Sequence, residues 1–191
     1  MIRVFIGFFT SPVVIEKSSR LRAEASPFIH GKWIQPQNLH ITLQFVGEVD
    51  RLTLVELLKT TQEVANTFKP FKITYKGLGI FPHLKRPRIL WVGVDQGASH
   101  LKRLAKTVVN ANRSLNIRPD TKPFHPHVTI CRMKRVDNRK LKFFLRKYQN
   151  FIFGEEIVTK IAVIKSTLTP EGPIYAPIEE FYFPDQPKEL Y

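Results

Sequence analysis

Cysteine is nearly absent. Cys131 is the single thiol in 191 residues, so no internal disulfide can form, and the lack of any CxxC or paired Cys/His spacing leaves no framework for structural zinc. This economy of thiols fits a reducing cytoplasm, and Cys131 itself reads as a small buried hydrophobe. Long apolar runs are missing too. The longest are short pieces such as Ile89-Leu90-Trp91-Val92, against the roughly 18–20 residues that cross a bilayer, so a soluble protein without a membrane partner is expected. The opening MIRVFIGFFTSP passes straight into strand-like alternation with no small-residue cleavage site, and reads as a strand, not a signal peptide. There is no P-loop, no G-x-G-x-x-G and no G-x-S-x-G, which argues against nucleoside-triphosphate, dinucleotide and serine-hydrolase chemistry. Acidic residues are scarce: 16 Asp+Glu against 30 Lys+Arg leave a formal charge of +14. Such a surplus favours a polyanionic partner or substrate.

What is present suffices for one compact domain, 1–191, because 43% of positions are hydrophobic and 12% aromatic. Ile2 to Phe9 is β-branched and aromatic, and Thr10-Ser11-Pro12 supplies a capping hydroxyl followed by Pro at the first position of a helix running to about Ala25. Strands are expected at Lys32 to Ile34, Leu39 to Val46, Phe71 to Leu78, Ile89 to Val94 and Phe124 to Arg132. Further along, Ile157 to Thr169 reads as one long strand and Ile174 to Phe183 as its hairpin partner. Helical periodicity marks Asp50 to Phe68, Gly97 to Ser114 and Asn138 to Tyr148. Strands joined by turns too short for parallel crossovers make the class α+β with mainly antiparallel sheet.

A weak internal echo divides the chain. Pro36-Gln37-Asn38-Leu39-His40-Ile41-Thr42 and Pro123-Phe124-His125-Pro126-His127-Val128-Thr129 share Pro at minus four, His at zero, a β-branched residue at plus one and Thr at plus two. One His-x-Thr alone is weak; two in matching surroundings, nearly half the chain apart, point to one strand–helix unit used twice. In a strand, positions i and i+2 share a face, so His40 and Thr42 project together, as do His127 and Thr129, while Ile41, Leu43, Val128 and Ile130 turn to a core.

If the two lobes face one another, two imidazoles flank one cleft. That is the minimum apparatus for metal-free displacement at phosphorus: a neutral imidazole takes a proton from water and an imidazolium protonates the departing oxygen. With an ordinary pKa of about 6.5, imidazole serves both roles near neutrality. The Thr42 and Thr129 hydroxyls can donate to the non-bridging oxygens.

These segments resemble a known family. The stretch Trp33 to Gly47 around the first motif, the strand Arg88-Ile89-Leu90-Trp91-Val92-Gly93-Val94, the segment Pro126 to Arg132 and the hairpin Leu168 to Tyr175 are similar to the two-histidine (2H) phosphoesterase superfamily. Within it they look most like the RNA 2′,3′-cyclic phosphodiesterase and 2′-5′ RNA ligase family. The resemblance implies a bilobal, pseudo-two-fold α+β fold, with two mainly antiparallel sheets flanked by helices and both motifs in a central groove. It implies no metal and no cofactor, and an RNA or oligonucleotide partner ending in a 2′,3′-cyclic phosphate that is hydrolysed to a 2′-phosphate. His40 is then the general acid toward O3′ and His127 the base for water. Arg132 corresponds to an arginine that the family uses on the phosphate. It stands five residues after His127, so strict alternation puts it on the wrong face unless the strand ends, twists or bulges. Under the internal echo its counterpart is Phe45, which the same distortion would bring to the groove to stack on a base.

The remaining features carry less. The pair His125 and His127 lacks an acidic residue at ligand spacing, and His30, His83 and His100 read as surface or capping residues. Lys85-Arg86-Pro87-Arg88 and Arg132-Met133-Lys134-Arg135 lie near the proposed strands, where flanking phosphates would pass. Two rivals to cyclic phosphodiesterase chemistry stay open: a 2′-5′ RNA ligase or 2′-5′ phosphodiesterase using the same site, and a non-catalytic basic RNA-binding module. Nothing in the sequence demands more than a monomer.

Overall fold

Short β-branched segments separated by amphipathic helices fold into one curled sheet with its helices on a single side. The computed structural model describes residues 1–115, 117 and 123–184. Along them run β1 (Ile2–Phe9), α1 (Pro12–Ala25), β2 (Ile29–Trp33), a 3₁₀ turn (Pro36–Asn38), β3 (His40–Val49), α2 (Arg51–Asn66), β4 (Phe71–Phe81) and β5 (Ile89–Val94). Then come α3 (Ala98–Ala111), β6 (His127–Val136), α4 (Asn138–Lys147), β7 (Ile152–Val158), β8 (Lys160–Thr169) and β9 (Gly172–Tyr182).

The strands lie in the order β7-β4-β5-β6-β3-β1-β8-β9, with β2 also on β6, and their pairings are antiparallel. The order is mirrored about its centre, where β6 and β3 meet with three further strands on each side. The two sheets expected from the resemblance are therefore halves of one continuous sheet, joined at the pair Ile41–Val128. Because β3 and β6 start at this joint and run apart, they overlap only over their first residues. Beyond the joint β2 takes over the edge of β6, pairing Trp33 with Cys131 and Lys32 with Arg132.

Helix positions follow from local chemistry. Asp50 caps α2 by accepting the Thr53 N–H at 2.8 Å, and Asp137 caps α4 through the N–H groups of Arg139 and Lys140, as capping carboxylates do. Ser11 stands at the N-cap of α1 as expected, yet its hydroxyl makes no cap bond. Instead the Glu156 carboxylate on β7 takes the Ser11 N–H at 2.7 Å, and burial pushes that carboxyl above its ordinary range. Apolar faces of all four helices enter the same core as Ile41, Leu43, Val128 and Ile130. On the opposite face of the sheet the described residues form a small apolar cluster, Phe5, Ala162 and Ile164, with Phe9 and Tyr175 against it.

Several boundaries differ from the sequence reading. The long strand expected over Ile157 to Thr169 breaks at Thr159, because β7 pairs with β4 and β8 with β1, at opposite ends of the sheet. Strand β6 begins at His127, three residues later than expected, and extends to Val136, so the whole basic run 132–135 lies in it; its extra length is held by β2. β2 itself begins three residues earlier than expected, at Ile29, and α3 ends at Ala111.

Candidate active site

Four side chains singled out by the echo converge at the central joint. Antiparallel pairing of Ile41 with Val128 sets His40 across from Thr129 and Thr42 across from His127. All four point away from the helices, since the residues between them are in the core. The two histidines then occupy diagonal positions, for which Cα separations of about 7–8 Å are usual. On the outer sides, Phe9 and Gly7 pair with His40 and Thr42, and Gly93 and Trp91 pair with His127 and Thr129. Gly7 is obligatory here, because a Cβ would run into the carbonyl of Ile41.

Bulges at matching places carry the strands onward. On β3, Gly7 pairs with Thr42 and Ile6 with Gln44, so Leu43 is an extra residue. On β6, Trp91 pairs with Thr129 and Leu90 with Cys131, so Ile130 is extra. Each bulge sits three residues after its histidine and resets the alternation. Arg132 consequently emerges on the histidine face, exposed and with no carboxylate partner among the ion pairs of the described residues. Phe45, its counterpart, pairs with Phe5 on that same face and is 49% exposed, so it is not a core residue; Arg3 lies 5.2 Å above its ring.

Each imidazole is held in the same way. Nδ1 of His40 lies 2.5 Å from the carbonyl oxygen of Asn38, and Nδ1 of His127 lies 2.6 Å from that of His125, in both cases the residue two positions earlier. A carbonyl only accepts, so Nδ1 carries a hydrogen in both rings and Nε2 is left as the nitrogen that gains or loses a proton. Aromatic walls fix the planes: Phe5 at 4.8 Å and Tyr175 at 5.0 Å between centroids around His40, Phe81 at 5.0 Å and Trp91 at 6.0 Å around His127. Trp91 lies flat over Gly79, where any Cβ would strike the indole.

Burial lowers the pKa of both histidines below the ordinary value, opposed in each by the carbonyl bond at Nδ1. The charges of His127 and Arg132 add a smaller lowering at His40, so each of the two lies within electrostatic reach of that ring. Neither Thr42 nor Thr129 spends its hydroxyl on a hydrogen bond within the described residues. This face of the sheet thus carries two switchable nitrogens, two hydroxyls and a guanidinium.

Other candidates fall away. Among the described residues no group of three or more His, Cys, Asp and Glu is placed to hold a metal ion, and Nδ1 of His127 is already committed to a carbonyl. His30, His83 and His100 are exposed, and His100 stacks on Phe71 at 5.3 Å, away from the groove. Cys131 is fully buried, and burial pushes its thiol up to about 12. The aromatic walls and the two carbonyl anchors did not emerge from the sequence reading; the only signal for the anchors is the residue two before each histidine in the echo.

Comparison with known proteins gives matches along nearly the whole chain. A family model for LigT-like phosphoesterases matches twice, over residues 10–91 and 92–175, one match per histidine motif. An RNA 2′,3′-cyclic phosphodiesterase of Aquifex aeolicus (strain VF5) is 50% identical over 183 residues, covering 95% of this chain and 97% of that protein. A protein of the same name from Archaeoglobus fulgidus is 38% identical, covering 94% and 99%. A solved protein of Thermus thermophilus superposes with a TM-score of 0.80 at 28% identity, covering 95% of this chain and 97% of its own.

The carbonyl anchors set a measurable expectation. ¹⁵N shifts of the neutral imidazoles should report the Nδ1–H tautomer at both His40 and His127; an Nε2–H tautomer at either ring would contradict the anchoring.

Proposed function

Because the chain belongs to the LigT-like phosphoesterase family, we propose that it hydrolyses RNA 2′,3′-cyclic phosphate ends to 2′-phosphates, using its two histidines as a general acid and a general base. The observation that carries this reading is the placement of two similarly anchored imidazoles on one face of the joint between β3 and β6. The names of the relatives from Aquifex and Archaeoglobus supply the substrate class.

In this mechanism water attacks phosphorus in line with the P–O3′ bond. Nε2 of His127 takes the proton from water, Nε2 of His40 gives a proton to O3′, and the P–O3′ bond breaks to leave a 3′-hydroxyl and a 2′-phosphate. Thr42 and Thr129 donate to the non-bridging oxygens, and Arg132 compensates the charge that builds on them. In the unliganded site burial, and to a smaller extent the charges of His127 and Arg132, favour the neutral form of His40, which opposes an acid role. The phosphate anion lying between His40 and Arg132 offsets that bias, and the near-symmetry of the two rings makes each competent in either role. Phe45 stacks on a base of the substrate. No step needs a metal, since proton transfer and charge compensation are both met by side chains already in the groove. Ligation of 2′-5′ ends would open the same cyclic phosphate with a 5′-hydroxyl in place of water as the nucleophile and O3′ again leaving, but no observation favours it over hydrolysis.

The test is hydrolysis of an oligonucleotide ending in a 2′,3′-cyclic phosphate, in excess EDTA. His40→Ala and His127→Ala should each lower the rate by about 10²–10⁴ with far-UV circular dichroism unchanged. Near wild-type turnover in either variant, or loss of wild-type activity in EDTA with rescue by a divalent ion, would refute the mechanism.

Both histidine pKa values are lowered, so activity falls as pH rises and the acid loses its proton, and falls again as pH drops and the base gains one. The plot of kcat/KM against pH should be bell-shaped with its maximum on the acidic side of about 6.5. A flat profile, or a maximum on the alkaline side of neutrality, is the contrary result.

A further inference from the structure

Beside the two-histidine surface lies a cavity of about 610 Å³, within the roughly 300–1,000 Å³ of small-ligand sites. One wall is β2 and the residues after it; the other is the tip of the β8–β9 hairpin, from Thr169 to Tyr175. The tip is tied across the cavity, because Nδ2 of Asn38 donates to the carbonyl of Pro173 at 2.7 Å, and within itself, where the Thr169 hydroxyl donates to the carbonyl of Gly172 at 2.6 Å.

Two residues belong to both spaces. The Asn38 carbonyl holds Nδ1 of His40 while the residue lines the cavity. Tyr175 also lines it and stands 5.0 Å from the His40 ring. A chain whose end is engaged by His40 therefore has this cavity as its immediate neighbour.

The charge pattern says what the cavity suits. Lys32 on its wall pairs directly with Arg132 across β2 and β6, and like charges opposite one another in a sheet repel. Neither is in an ion pair of the described residues, so an anion between them converts repulsion into charge-assisted hydrogen bonds. Arg22 adds another cation to the lining, against one carboxylate, Glu171. The aromatic residues Trp33 and Tyr175 line it, and Gln35 and Asn38 bring amides that both donate and accept. Aromatic residues, amides and cations together match a base with its backbone phosphate.

Resting on the assignment of cyclic phosphate ends as substrate, we propose that this cavity receives the nucleoside that precedes the 3′-terminal one, with the phosphodiester joining the two held by Lys32 beside Arg132. The preferred substrate is then an oligonucleotide end, and a mononucleotide lacks half of the binding surface.

The test compares three substrates with the same 3′-terminal nucleoside and cyclic phosphate: a mononucleotide, a dinucleotide and a hexanucleotide. One stacked base with its phosphate should raise kcat/KM by about tenfold or more from the first to the second, with little further gain for the third. Lys32→Ala, at an exposed position, should bring mono- and dinucleotide together. A second readout does not need turnover. In a dinucleotide 2′-phosphate carrying 2-aminopurine at the 5′ position, fluorescence should be quenched by the wild-type protein, and Lys32→Ala should need a higher protein concentration for the same quenching. Equal kcat/KM for the first two substrates, or an advantage and quenching that survive Lys32→Ala unchanged, would overturn the subsite while leaving the cyclic phosphodiesterase assignment standing. Hydrolysis of none of the three would overturn both.

Discussion

A single cross-strand pair, Ile41 with Val128, joins the two halves of the sheet over their shared core, and the surface between the histidines depends on it. Both residues are fully buried, so the apolar core presses the joint closed from the helix side while the neighbouring positions turn outward with their histidines and threonines. Pairing limited to one position has a structural consequence. The strands diverge at once on either side, leaving an open surface where a longer ladder would have built a flat, fully paired sheet. The diagonal relation across an antiparallel pair sets the two imidazoles neither in contact nor far apart, as in the proposed mechanism, without any special loop.

The second constraint acts on the rings. A histidine on a strand is free to turn about its side-chain bonds, and an imidazole that exchanges tautomers is a poor proton carrier. Carbonyls two residues upstream remove that freedom at both rings, and aromatic neighbours exclude water from their flanks. The same exclusion depresses both pKa values, so the arrangement that positions the rings also tunes them. The β8–β9 hairpin extends this logic. Its tip ends on the residue that anchors His40, linking the two-histidine surface to the cavity beside it.

Much of this was legible in the sequence because it rests on local periodicity. The His-x-Thr echo placed four side chains on strand faces, and the structure puts them on one face of one sheet. The need for a distortion before Arg132 was visible as a conflict between its position and strict alternation, and the bulge at Ile130 resolves it. The mirrored bulge at Leu43 does the same for Phe45. What stayed hidden depends on contacts distant in sequence. The break at Thr159 follows from partners at opposite ends of the sheet, which no local pattern records. Nor does the stretch at Ser11 announce that a carboxylate 145 residues away would take its N–H. The aromatic walls are drawn from separate segments, each of which alone reads as ordinary strand.

The most direct check on the central claim is a crystal structure with a nucleoside vanadate, whose five-coordinate vanadium mimics in-line attack at phosphorus. Nε2 of His40 and Nε2 of His127 should each lie about 2.6–3.2 Å from an apical oxygen, on opposite sides of the vanadium. Two rings on the same side, or either nitrogen out of reach of an apical oxygen, would contradict the account.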